Sequence, residues 1–134
     1  MKNSLLFLLS IIVFGSCGYE PMASVDYTFT NKSSTHISLI LNYSYIIKKD
    51  TIRIETESFH MFKHSYEDQD SPPPPFYSNG IDTIFLIVQD TIHTTYYKGS
   101  SGKSPFSLDS YTGGQISKKR GMHYFSYVYD INID

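Results

Sequence analysis

Five histidines are the most versatile chemical groups in the chain, and two of them, His60 and His64, stand four residues apart. That spacing puts both rings on one face of a strand or a helix. With Glu67 or Asp70 nearby, the pair is a weak candidate for zinc. The plainer reading is two exposed strand histidines beside an acidic loop, because no cysteine or glutamate motif supports the pair. Asp68-Gln69-Asp70 opens like a calcium loop, but the required glycine and closing glutamate do not follow, and Pro72 intrudes. Gly102-Lys103-Ser104 matches the end of a phosphate-binding loop, yet Tyr97 occupies the place of its first glycine. No Gly-x-Ser-x-Gly elbow presents a nucleophilic serine. The expectation is a non-catalytic chain with no cofactor and no metal.

Tyrosine is the other conspicuous group, with 12 copies against no tryptophan. Tyr96 with Tyr97, and Tyr124 with Tyr127 and Tyr129, are candidates to line a face that contacts carbohydrate or protein, since these rings carry an apolar body and a polar tip. Cross-strand stacking that simply stabilises a sheet is the stronger competitor.

Positioning any of these groups falls to strands. Alanine occurs once, at Ala23, while Tyr, Ile, Thr, Ser and Phe dominate, which suits a pleated, half-buried surface. Val25, Tyr27 and Phe29 alternate with Asp26 and Thr28. Ile37, Leu39, Leu41, Tyr43 and Tyr45 form the longest apolar face. Ile52 and Ile54 alternate with Thr51, Arg53 and Glu55, and Phe59 with Met61 suggests a fourth strand. Ile81–Val88 is apolar on both faces and reads as a central strand. Gln89-Asp90 turns it into Thr91–Tyr97, with Ile92, Thr94 and Tyr96 on one side. Met122–Ile131 carries Phe125, Tyr127, Tyr129 and Ile131 on one face. About seven strands separated by turn residues predict an all-β, antiparallel, immunoglobulin-like β-sandwich, with a small β-barrel as the alternative. Four prolines, Pro72 to Pro75, predict an extended spacer inside the loop Ser65–Gly80. The Gly/Ser-rich stretch Lys98–Ser104 reads as a mobile loop, and Lys118-Lys119-Arg120 as a solvated turn before Gly121.

The address is written at the start. Lys2 is followed by the apolar run Leu5 to Phe14, too short for a bilayer span of about 20 residues, and then by Gly15 and Ser16. Val13-Phe14-Gly15-Ser16-Cys17 resembles a lipobox, the site at which bacterial lipoproteins receive a diacylglycerol on cysteine and are cut just before it. Cys17 is the single cysteine, so no disulfide framework exists. The resemblance implies a signal peptide over 1–16, a lipidated tether over 17–24 and one sandwich domain over 25–134. Cleavage leaves 118 residues with 10 basic and 13 acidic side chains, a balance that offers nucleic acid no footprint.

Together with Tyr27–Ser33 and the aromatic end His123–Asn132, the chain is similar to the small β-rich lipoproteins common in the Bacteroidetes. That resemblance implies a cell-envelope location, with the outer membrane favoured and the membrane itself as partner through Cys17. Asp-Thr-Ile recurs at Asp50, Asp82 and Asp90 and is similar to the O-glycosylation sequon of that group. It makes Thr51 and Thr91 the better candidates for a glycan and Thr83 the poorer one. Function is expected to be a membrane-anchored binding or accessory envelope module with a protein or glycan partner. The alternative is an inhibitor or immunity lipoprotein using Asp70–Tyr77 as a rigid exposed wedge. A small envelope enzyme or metal-binding protein ranks below both.

Overall fold

Alternation of apolar and polar residues sets strand β1 (Met22–Asn31), in which Ala23, Val25, Tyr27, Phe29 and Asn31 are all buried. The computed structural model describes residues 22–67, 72–76 and 79–133. Cys17, the apolar run before it and Asp68 to Asp70 lie outside those residues. Strand β1 begins inside the expected tether, and Ala23 is already part of the core.

Among the described residues the chain forms eight strands in two four-stranded sheets. The first sheet places β1 between β4 (Phe59–Glu67) and β8 (Met122–Ile131), with β7 (Thr112–Lys119) on the far edge. The second runs β3 (Lys49–Ile54), β2 (Ile37–Tyr43), β5 (Ile81–Val88) and β6 (Thr91–Tyr97). All neighbours are antiparallel except β1 and β8, the first and last strands, which are parallel. The inner faces meet in one core, with Val25, Tyr27, Phe29, Phe125, Tyr129 and Ile131 against Ile37, Leu39, Leu41, Ile54, Ile84 and Leu86. The expected all-β sandwich is therefore present, and the sheets do not close into a barrel.

Asn31 ties the first crossover together from a fully buried position. Its amide donates to the carbonyls of Thr35 (2.8 Å), Ile54 (3.1 Å) and Glu55 (3.2 Å), and its oxygen accepts from the Ser33 amide (2.9 Å). One side chain of the first sheet thus satisfies backbone groups of the following turn and of the end of β3 in the second sheet. Two tight hairpins follow the same logic of positive φ. Gln89-Asp90 (φ 47° and 61°) joins β5 to β6, and Arg120-Gly121 (φ 51° and 80°) joins β7 to β8, as two-residue primed turns require.

Several expectations from the sequence need correction. Strand β7 makes the count eight, not seven; its Thr-Gly-Gly-Gln opening has poor strand propensity and forms because β8 offers a free edge. At Gly113 (φ 127°) a Cβ would come within 2.1 Å of the Ser126 carbonyl oxygen, so this close approach demands glycine. In β4 the phase is inverted: Phe59 and Met61 face solvent, while His60, Phe62, His64 and Tyr66 are half-buried on the inner side. In β6 the register shifts opposite Leu86 and Ile87, which turns Ile92 outward while Thr94 and Tyr96 face in. Tyr45 lies beyond the end of β2 and is exposed.

The proline run is the largest departure. Pro72 and Pro75 are buried, and Phe76 is only 1% exposed. Its ring lies 5.1 Å from Phe62, 5.8 Å from Phe29 and 6.3 Å from Phe106. The Tyr27 hydroxyl donates to the Pro73 carbonyl. Residues 72–76 therefore plug the sandwich rather than spacing anything away from it, because five apolar residues gain more from burial than from solvent.

Candidate functional site

Register decides what the histidines can do. Along β4, residues four apart project from the same face at about 13 Å separation, too far for two rings to share a metal bonded at about 2 Å. The His60 ring packs on Phe62 at 4.8 Å, and the His64 ring lies 6.0 Å from Tyr27 and 6.1 Å from Tyr66. Both are thus parts of the inner aromatic face, neither exposed nor paired. No group of three or more metal-ligating side chains occurs among the described residues.

That face is a lattice of rings. Tyr27 sits across from Phe62 and Tyr127, Phe29 from His60 and Tyr129, and Val25 from His64 and Phe125. Tyr27 stacks on Tyr127 at 5.8 Å, and Phe125 stacks on Tyr127 at 6.3 Å. Burial raises the pKa of Tyr27, Tyr111 and Tyr129 far above the ordinary phenol value, so these hydroxyls stay protonated. Desolvation lowers the pKa of His64 below 6.5. Its Nε2 and the Nδ1 of His123 are buried without a hydrogen-bond partner among the described residues. The tyrosines proposed as a binding face are divided by this arrangement. Tyr127 and Tyr129 belong to the inner lattice, while Tyr124 alternates to the outer side of β8; Tyr96 is half-buried and Tyr97 is exposed.

Lys103 is committed elsewhere. Its Nζ donates to the Asp130 carbonyl (3.0 Å) and rests over the Tyr129 ring (5.1 Å), tying the Gly/Ser stretch to β8. Ser104 is buried, with its amide donating to Ser110 Oγ at 2.9 Å. The end of the stretch expected to be mobile is anchored. Thr51 is exposed on edge strand β3, Thr91 is exposed beside the Gln89-Asp90 turn, and Thr83 is half-buried.

One surface feature was hidden by the alternating pattern. The loop between β2 and β3 presents Tyr45, Ile46 and Ile47 with relative exposures of 88%, 57% and 111%. Its root is fixed: the Ser44 amide (2.9 Å) and hydroxyl (3.0 Å) both donate to the Gly80 carbonyl. Beyond the tip, Lys48 pairs with Asp50 at 3.0 Å, and Asp50 also accepts from the Tyr43 hydroxyl at 2.7 Å. Hydrogen bonding from Tyr43, and then from Lys48, holds the Asp50 carboxyl below its ordinary pKa. An apolar pair running directly into two lysines was the available signal, because a strand continuing inward has no use for Lys48-Lys49.

The site thus defines a class no narrower than an all-β sandwich with a projecting apolar finger. Comparison with known protein families, curated proteins and solved structures finds no match to the chain. Among the described residues no helix is long and apolar enough to cross a membrane.

Proposed function

We propose that this chain is an exported lipoprotein, cut before Cys17 and held on the outer membrane by lipid on that cysteine, where its sandwich serves as a non-catalytic binding or accessory module. The observation that carries the reading is the order of Lys2, the uncharged run Leu5 to Phe14, and Gly15-Ser16-Cys17. Two or three acyl chains on Cys17 hold stably where one binds only marginally.

Metabolic labelling tests the reading. Radiolabelled palmitate is expected to co-migrate with the wild-type protein and to be absent from Cys17→Ser. Label that is missing from wild type, or unchanged in the variant, removes the anchor. The inhibitor reading relied on an exposed wedge at Asp70–Tyr77, and the burial of Pro72, Pro75 and Phe76 takes that wedge away. A pull-down from native membranes is expected to recover envelope partners of the same cell rather than a foreign enzyme.

A further inference from the structure

Chain direction places several loops at one end of the sandwich. Strand β1 runs away from Met22, and the short crossover after Asn31 sends β2 back, so the loop after Tyr43 returns to the end where β1 began. Strand β8 is parallel to β1, which brings its start and the Arg120-Gly121 turn to the same end. Strand β6 finishes there too, because it is antiparallel to β5 and β5 is antiparallel to β2.

This end collects Lys48, Lys49, Lys98, Lys118, Lys119 and Arg120, six of the ten basic residues that follow Cys17. The described acidic residues at the same end are Asp50, Glu67 and Asp82, with Asp50 already paired with Lys48, while Glu20, Asp68 and Asp70 adjoin Met22 and Glu67 in sequence outside the described residues. Lys119, Arg120, Met122 and Tyr124 line a depression of about 300 Å³ on the β7–β8 hairpin. The Tyr45-Ile46-Ile47 finger projects at the β2–β3 side of this end, next to Lys48 and Lys49, on a root pinned to Gly80, while Lys98 follows β6 at the opposite edge of the same sheet and Lys118 to Arg120 close β7 in the other.

We propose that this end of the sandwich docks on an anionic lipid surface, with Ile46 and Ile47 entering the interface and the lysines and Arg120 of the same end meeting phosphate headgroups. An apolar tip on an end that also carries cations fits a headgroup boundary, where the aliphatic part leaves water and each cation near the surface gains from negative potential. A protein partner would match the apolar tip as well, but the way the chain enters β1 favours lipid. Cys17 precedes Met22 by five residues, a reach of at most about 17 Å, and Met22 lies at this end. The orientation thus rests on the lipid anchor for its address, and it fixes which face the anchored domain turns to the bilayer.

The chain has no tryptophan, so a single one reports cleanly. Ile47→Trp is made in the full chain, with Ile92→Trp, exposed beside the turn at the opposite end, as the control. Each protein is isolated after export, its lipid content is read by mass, and it is placed on vesicles of phosphatidylcholine alone or with about one-third phosphatidylglycerol. Expected on the anionic vesicles are a blue-shifted emission and quenching by brominated lipid for Ile47→Trp, several-fold stronger than on the neutral ones, and neither for Ile92→Trp. Emission from Ile47→Trp as exposed as that from Ile92→Trp overturns docking, whether or not Cys17 carries lipid. Equal quenching on the two vesicle types overturns the role given to the cations. Shielding of Ile47→Trp in intact cells but not on vesicles assigns the finger to a protein and overturns the lipid surface. Absence of lipid on Cys17 with quenching intact removes only the anchored reading.

Discussion

Phe76 shows how much one side chain can decide. It adopts a left-handed backbone (φ 68°), unusual for a bulky residue, and that bend delivers its ring between the sheets. Phe76→Ala is expected to lower unfolding free energy by about 3–5 kcal/mol in a urea titration, the range for emptying a buried aromatic site. His64 carries a different prediction. Desolvation among Tyr27, Tyr66 and neighbouring groups keeps its folded pKa below 6.5, while the unfolded chain titrates near that value. Above it both states hold neutral imidazole. As pH falls past it, the unfolded state takes up the proton first, so stability is lost until the folded ring is protonated too. The melting temperature is expected to fall between pH ~7.5 and ~5, and His64→Phe is expected to flatten that fall.

Among the elements, the hairpins are the most improvable. Gln89 and Asp90 both stand at positive φ, where Asn-Gly is the favoured pair. Gln89→Asn with Asp90→Gly is expected to stabilise by about 0.5–1 kcal/mol, read as a higher denaturation midpoint. The same scale shows what could be read in advance. Strands β1, β2 and β8 carry alternation from which both presence and inner face followed, whereas the continuous apolar run of β5 pointed to the strand but not to its inner face. Strand β7 had no such pattern, since its residues are exposed almost throughout. In β4 two large apolar residues face outward, so hydrophobicity pointed to the wrong side, and the bulge in β6 moved Ile92 out in a way no periodicity encodes. The finger at Tyr45–Ile47 escaped for a related reason: Tyr45 keeps the phase of β2 after the strand has ended. The expectation at Cys17 rests on a linear pattern, Gly15-Ser16-Cys17, and lies outside the described residues.

For the whole molecule, the pairing of β1 with β8 over nine aligned positions from Ala23–His123 to Asn31–Ile131 is the long-range contact that joins the first described strand to the last. Removing everything after Lys119 would leave β1 with a bare edge and strip Phe125, Tyr129 and Ile131 from the core. Such a truncation is expected to show no cooperative transition in denaturant, and a folded remnant would contradict this account. Most sheet contacts of this kind join distant parts of the chain, which makes folding slow. A polypeptide of this topology cannot complete its first sheet before β8 is available, because β1 and β7 both pair with it. The parallel seam thereby doubles as a timer that holds the core open until the last described strand arrives.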